Sequence, residues 1–284
     1  MTNLVSESTN SSHSGGDDSD VFIIDPSIVA RKRDARLVRT SRLLIGFGLV
    51  ASWQLASGRI ISDFWISNPV KIFWALIRLW NDGLLAPAIA STVMEAIVGF
   101  AFGTMAGVVI GIIFGVNKLV ARSLDPYFVG FYSIPRVALI PLFILWFGIG
   151  FQTKVIFTAL LVFFPVFMNT LSGVRNVDHD LIDVIRVMGA SRLDTIRKIY
   201  VPSALVWVFA GLRISVPYAL IGAIVAEMFS SNQGLGYLIS LTANQFDTAA
   251  VFATLGVTTI LGLMLDGIVR LIEAHFMRWQ PIQH

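Results

Sequence analysis

Apolar residues in this chain come in long blocks separated by short polar or charged connections. The blocks run over about 43–61, 87–116, 124–149, 155–171, 204–229 and 249–272. Most supply the roughly 20 apolar residues that a helix needs to cross a bilayer. The pattern predicts an all-α integral membrane protein of about six transmembrane helices. Ahead of the first block, the Ser-, Asn-, Gly- and Asp-rich stretch MTNLVSESTNSSHSGGDDSD has almost nothing to bury. It reads as disordered, because no apolar burial offsets the entropy of ordering it. The predicted organisation is a disordered, basic tail over 1–42 and one membrane domain over 43–284, with its core over 86–272.

Inside these blocks the residue choice says more. Gly99, Gly103, Gly107, Gly111 and Gly115 recur every four residues in the second. They form a small-residue stripe along one helix face, which lets a neighbouring helix approach closely where lipid provides no hydrophobic drive between helices. Pro69 opens a segment whose apolar positions Ile72, Phe73, Leu76, Ile77 and Trp80 face away from Lys71 and Arg78, as in a helix lying at an interface. The third block is interrupted by Pro135 and Pro141, so a broken helix is expected there, its freed backbone groups bonded by protein or by a wet cavity. The segment SSNQGLGYLISLTANQFD (230–247) is too apolar for a free loop and is expected to dip into the membrane.

Composition agrees with this picture: 55% of residues are hydrophobic and 14% charged, with a mean hydropathy of +0.75. So apolar a chain lacks the basic face that nucleic-acid binding requires. The absence of cysteine excludes disulfide frameworks and thiolate metal sites. Charge placement predicts orientation. With the amino terminus inside, the cytoplasmic regions collect Arg31, Lys32, Arg33, Arg36, Arg39 and Arg42, then Lys118 and Arg122, then Arg175, Arg186, Arg192, Arg197 and Lys198, then Arg270 and Arg278. The outside collects Arg59, Lys71, Arg78 and Lys154. Both termini are therefore expected inside.

One loop is helical in pattern: DHDLIDVIRVMGASRLDTIRKIYVPSA. Leu181, Ile182, Ile185 and Met188 recur at helical spacing, as do Leu193, Ile196, Ile199 and Tyr200. Gly189 sits between the runs, where a left-handed residue ends one helix, and Ser191 with Asp194 can cap the next. Two short amphipathic helices joined at an elbow are expected. Alone in water they would be marginal, so their apolar faces need a partner, either the lipid surface or another protein.

This loop resembles the signature loop of binding-protein-dependent ABC importer permeases: Glu-Ala-Ala, three residues, Gly, nine residues, Ile, one residue, Leu-Pro. Here Asp183, Val184 and Ile185 occupy the first triplet, followed by Gly189, Ile199, Val201 and Pro202. The spacing matches throughout, while the triplet keeps only its acidic character and Val201 replaces Leu. SIPRVALIPLFILWFGIG, AEMFSSNQGLGYLI and the closing RWQP resemble the nitrate, sulfonate and taurine branch, and the likeness runs from about Ser67 to Pro281.

The resemblance implies a type I importer permease, multi-pass in the inner membrane. It would pair with a second permease copy, two cytoplasmic ABC ATPase subunits and an extracytoplasmic substrate-binding protein. Asp183, Arg186, Gly189, Ala190, Ser191 and Arg192 would form the ATPase coupling element. The chain has no G-x-x-x-x-G-K-[ST] loop and none of its lysines follows a glycine, so no cofactor is expected on it, and ATP and magnesium belong to the partner ATPase. The substrates the branch suggests are sulfonates, nitrate, aromatic acids or pyrimidine precursors.

Ionisable groups at membrane depth are candidates for a translocation path. Arg136, between the two prolines, either meets an anionic substrate group or bonds the carbonyls they free. Glu95, Asn169 and Glu227 either line the path or pair within the protein. A second reading, an ion- or proton-coupled secondary carrier, rests on Glu95 and Glu227 but leaves the elbow without a role. A membrane enzyme would need clustered nucleophile, base or metal ligands near one membrane face, and His13, His179, His275 and His284 are scattered.

Overall fold

The computed structural model describes residues 26–230 and 232–277. The chain divides into two compact units, 1–52 and 53–284. The helices, in order, are α1 (Pro26–Ala56), α2 (Asp63–Ile66), α3 (Pro69–Asn81), α4 (Leu85–Val116), α5 (Lys118–Ser133), α6 (Ile140–Phe147), α7 (Phe151–Arg175), α8 (His179–Val187), α9 (Arg192–Thr195), α10 (Val201–Ser230), α11 (Leu235–Asn244) and α12 (Thr248–Phe276). Among the described residues the sole strand-like pairing is an isolated bridge between Ser57 and Ile61. The all-α expectation is met.

The first unit is described through most of α1. Residues 26–42, expected to be part of a disordered tail, are helical. Pro26 suits a first helical position, and the Ala, Arg, Lys and Leu that follow are strong helix formers. Residues 1–25 lie outside the described residues. The apolar block expected to run to Ile61 leaves the helix at Ala56, because Gly58 takes φ +78° and its N–H donates to the Ile61 carbonyl.

In the second unit, three helices carry the bulk of the packing: α4, α7 and α10. Among the described residues, four stretches are long and apolar enough to span a membrane: Leu85–Val116, Phe151–Arg175, Leu193–Ser230 and Thr248–Phe276. The remaining two apolar blocks are carried by α1, whose first half is charged, and by the divided third block.

The glycine stripe works as expected. Gly99, Gly103, Gly107, Gly111 and Gly115 are all buried, and carbons added to them would collide with Thr158, the Ala159 carbonyl, Val162, Val166, Thr170 and Val174 of α7. The two backbones thus meet without side chains between them.

The third block is broken, though not by both prolines. Helix α5 ends at Ser133, a 3-10 turn covers Arg136–Leu139, and α6 follows. Pro135 precedes the turn in extended conformation, which ends the helix. Pro141 instead lies in the first turn of α6, where its missing N–H has no intrahelical partner to lose.

One expectation needs correction. The second half of the elbow segment is not separate from the apolar block that starts near 204 but continuous with it. Helix runs from Leu193 to Ser230, passing through a π-helical segment at Ile196–Tyr200. The wide turn, closed by Val201 N–H donating to the Ile196 carbonyl, carries the helix past Pro202, the kind of local distortion that lets a helix absorb a proline. Residues 235–244, too apolar for a free loop, form α11. Leu235, Leu238 and Ile239 are buried, and α11 packs against α10 and α12.

The interfacial segment is α3. Asn68 caps it by accepting the Lys71 N–H at 2.8 Å. Ala75 and Leu79 are buried, whereas Phe73, Trp74 and Trp80 stay exposed, and Arg78 pairs with Asp247 at the start of α12.

Candidate coupling elbow and intramembrane polar sites

The loop between α7 and α10 folds into the elbow. Helix α8 ends at Val187, and Gly189 takes φ +86°, a conformation that residues with a Cβ rarely adopt. Around it the orphan groups of the helix end are used: Met188 N–H donates to the Val184 carbonyl and Ala190 N–H to the Ile185 carbonyl, both at 3.1 Å. On the far side Asp194 N–H donates to Ser191 Oγ at 3.1 Å, and Ser191 N–H donates back to Asp194 Oδ2 at 3.2 Å. This is a reciprocal capping box that starts α9. The second helix is not a separate short one, as expected from the pattern, but the beginning of the 193–230 helix.

Burial divides the elbow's two faces. Ile182 and Thr195 are buried in the membrane domain. Val187, Met188 and Leu193 are 89%, 80% and 73% exposed and surround Gly189. Asp183 lies on α8 and is exposed. Arg186 and Arg192 lie on α8 and α9, and their side chains fall outside the described residues.

The intramembrane candidates separate into two sites. The first adjoins the break after α5. A cavity of about 440 Å³ is lined by Ser133, Phe164, Pro165, Asn169, Ile214 and Tyr218. The Arg136 guanidinium lies over the Phe164 ring, 5.0 Å from its centroid, a cation–π arrangement that holds the charge beside the cavity wall. Asn169 donates its amide N–H to the Pro165 carbonyl at 2.8 Å. Arg136 and Asn169 are therefore brought to one place. Arg213, further along α10, pairs with Glu273 of α12.

Glu95 and Glu227 are elsewhere, in a buried polar cluster where the start of α7 and the end of α10 meet α4. Lys154, counted by its sequence position among the charges of the outer side, sits in the first turn of α7, 5% exposed, in an ion pair with Glu95, which is 1% exposed. The Ser91 hydroxyl donates to Glu95 Oε1 at 3.0 Å. Burial without a partner would be costly for either charge, and the pairing offsets that cost.

Glu227 is fully buried beside Glu95 and bonds further groups of its own. Its Oε1 accepts the Thr92 hydroxyl at 2.7 Å, and its Oε2 accepts the Gly236 N–H at 2.8 Å. The Thr92 oxygen in turn accepts the Leu235 N–H at 2.9 Å. One carboxylate thus joins α4, α10 and the start of α11. The GLG sequence is required by this fit: a Cβ on Gly234 would stand 2.0 Å from Glu227 Oε1, and one on Gly236 would stand 2.1 Å from the Ile224 carbonyl. Sequence reading found the two carboxylates but missed Lys154, which directly precedes an apolar run and looks like a flanking loop charge.

Four long apolar helices, a left-handed elbow between two of them and glycine-mediated contact along α4 define a membrane permease fold. The solved methionine ABC transporter MetNI, in an inward-facing conformation, shares that fold with a TM-score of 0.53 and 21% identity over 71% of this chain and 97% of that one. Residues 103–278 match the family model of the binding-protein-dependent transport system inner membrane component. The aliphatic sulfonates transport permease protein SsuC of Bacillus subtilis is 35% identical over 240 residues, covering 84% of this chain and 87% of the relative. The formylaminopyrimidine transport permease protein ThiX of Halalkalibacterium halodurans is 31% identical over 235 residues, covering 83% and 94%.

The chain belongs to the family of binding-protein-dependent transport system inner membrane components. It is an ABC importer permease subunit of the sulfonate, taurine and nitrate branch, a multi-pass inner-membrane protein and not itself an enzyme.

Proposed function

We propose that this permease couples to a cytoplasmic ABC ATPase through the Gly189 elbow, pairs with a second permease copy and receives substrate from an extracytoplasmic binding protein. The observation that carries the coupling is the exposed apolar cluster of Val187, Met188 and Leu193 around a left-handed glycine. Such a cluster on a capped, rigid elbow suits a groove on a partner, and it stands at the head of the helix that continues into the membrane domain. Both termini face the cytoplasm in this reading. The burial of Lys154 strengthens the charge argument for that orientation, since one of the four outside cations is no longer a loop charge.

The cavity beside Arg136 and Asn169 is the proposed path for a small nutrient bearing an acid group. A guanidinium held over an aromatic ring beside the cavity places a planar positive fork, the geometry that matches a carboxylate or sulfonate, at its wall. The carrier reading loses its motive, because Glu95 has a buried cation and Glu227 is hydrogen-bonded to Thr92 and Gly236. The test is reconstitution with the cognate ATPase and binding protein. Uptake that requires ATP supports the proposal. Uptake driven by an ion gradient in the absence of ATP overturns it.

A further inference from the structure

Three buried ionisable side chains meet where the start of α7 and the end of α10 reach α4: Glu95, Lys154 and Glu227. The two carboxyls lie within hydrogen-bonding reach of each other, and Lys154 pairs with Glu95. Their four oxygens are not served alike. Glu95 Oε1 takes the Ser91 hydroxyl and the Lys154 ammonium, Glu227 Oε1 the Thr92 hydroxyl, and Glu227 Oε2 the Gly236 N–H. No N–H and no hydroxyl of another residue reaches Glu95 Oε2. Ionised carboxylates only accept hydrogen bonds, so two that touch repel unless a proton lies between them. The charge count agrees. With both carboxyls ionised the buried cluster carries a net negative charge, and with one proton it is neutral, which is far less costly to bury. The elements packed against α10 add no compensating charge. Helix α6 has no ionisable residue, and α11 has only Tyr237. Arg213 pairs with Glu273, Arg270 with Asp266 and Asp247 with Arg78, while Arg175 lies at the opposite end of α7.

We propose that Glu95 and Glu227 share one proton, and that this proton latches α4 and the start of α7 to the end of α10 and to α11. While it is held, the two carboxyls attract each other, Glu95 keeps Lys154 of α7, and Glu227 keeps the Gly236 N–H of α11. A cavity of about 600 Å³, lined by Ser91, Glu95, Lys154, Ser230 and Gln233 among others, adjoins the pair. When the end of α10 moves away, water in that cavity takes the proton, both carboxyls ionise, and their repulsion keeps the latch open. The proton returns by the same cavity, so none is carried across the membrane domain. The closed latch binds one more proton than the open one, so lower pH favours closure and higher pH favours opening. Which side's pH acts depends on the orientation proposed above, which makes it the extracytoplasmic side.

The proton is read by infrared spectroscopy of the full-length chain in lipid nanodiscs near neutral pH, where a protonated carboxyl absorbs apart from a carboxylate. Wild type should show a carboxylic-acid band that Glu95→Gln and Glu227→Gln each remove, because the carboxyl left behind then pairs with Lys154 as the ion. Lys154→Met should keep the band. Burial alone could protonate Glu227, but the band would then survive in Glu95→Gln. That survival, or a wild-type acid band that neither variant changes, overturns the shared proton. The latch is read by spin labels on cysteines introduced at Ile149 and Asn232, two positions lining the cavity of a chain with no cysteine of its own. Their separation should lengthen as pH rises in the otherwise native chain and be independent of pH in Glu227→Gln. A separation that ignores pH in the otherwise native chain overturns the latch. Should a glutamine variant fail to fold, the native chain alone decides: the band should fade over the pH range in which the separation grows, and two different ranges overturn the link between them. Both readings use the permease without ATPase or binding protein, so their failure leaves the importer reading standing. Uptake without ATP in the reconstituted complex would overturn that reading and leave the band unchanged.

Discussion

Replacing Gly103 by alanine tests whether the glycine stripe sets the distance between α4 and α7. A Cβ at this position would stand 2.5 Å from the Ala159 carbonyl oxygen and 2.8 Å from the Val162 Cβ. Ordinary contact begins near 3.4 Å, so the helices must part locally by about 0.9 Å, the difference between 3.4 and 2.5 Å. The obstacle is backbone, which cannot rotate aside. Overpacking of this kind costs about 1–3 kcal/mol, and a rigid obstacle places it near the upper end. Alanine regains roughly 1 kcal/mol of helix propensity over glycine, which leaves a net loss of about 2 kcal/mol. For a chain of this size that corresponds to a fall in melting temperature of roughly 4–8 °C.

The control is Gly130→Ala, where nothing lies within 4 Å of the added carbon and the propensity gain stands alone. Thermal unfolding in detergent, followed by intrinsic tryptophan fluorescence, compares the three proteins. A Gly103→Ala melting temperature equal to wild type or to Gly130→Ala would refute the close-packing account, because it would mean that α4 and α7 have room the structure does not show.

Gly189→Val should insert and fold normally yet lose coupled transport, since a β-branched residue at φ +86° is strained by about 1–2 kcal/mol or more; ATPase copurification and substrate-stimulated hydrolysis are the readouts, and wild-type values for both would remove the elbow from the coupling path. Arg136→Ala is expected to abolish most uptake and Arg136→Lys to retain part of it, since lysine keeps the charge but not the planar fork; full uptake by the alanine variant would exclude Arg136 from the path. Glu227→Gln turns an amide N–H toward one of two donors, Thr92 or Gly236, so a loss of about 1–3 kcal/mol is expected in melting experiments; an unchanged melting point would show that the clamp contributes nothing. Asp63, between α1 and α3, has its carboxyl held below the ordinary value of 3.8 by hydrogen bonds from Lys71 first and Ser57 second. Its contribution is therefore present above that ordinary value and disappears as the pH falls through the lower, folded one; hydrogen exchange at α2 and α3 should be insensitive to pH-driven opening near neutrality, and pH-dependent opening there would contradict the assignment.

Several of these features are legible in sequence because they are periodic or local. A glycine every fourth residue is a helix-face pattern, and Gly189 with the Ser191–Asp194 spacing is a local capping signal; both took the form their patterns predict. The burial of Lys154 has no mark in sequence because burial of a charge depends on its partner. Glu95 lies in a different helix, and nothing near residue 154 announces it. The helical continuity through Pro202 is hidden for a related reason: proline marks a helix boundary unless the preceding turn widens, and the π-helical geometry of Ile196–Tyr200 has no sequence mark of its own. Pro141 carried two meanings, helix breaker and first-turn residue, and the chain direction after Leu139 selects the second. The apolar character of residues 235–244 is legible in sequence, whereas their packing as a helix against α10 and α12 is not.

The unbroken run from Leu193 to Ser230 has a mechanical meaning. At 1.5 Å per residue its 38 residues make a rod about 57 Å long. A rod of that length turns a small rotation into a large excursion: a tilt of about 5° at the Leu193 end sweeps the Ser230 end through roughly 5 Å, more than enough to part Glu227 from the Gly236 N–H. The rod needs no relay of side chains between its ends. It has a soft joint at the wide turn Ile196–Tyr200, close to where the proposed coupling would apply force, and a second weak point at Pro217 inside α10, so torque is divided between bending at these places and swinging the shaft. Stiffening that turn by deleting one residue, which restores ordinary helical winding, should raise the share that reaches the far end. Spin labels at Leu193 and Ser230 measure it: their separation should stay constant between nucleotide states in the shortened protein and vary in the native one.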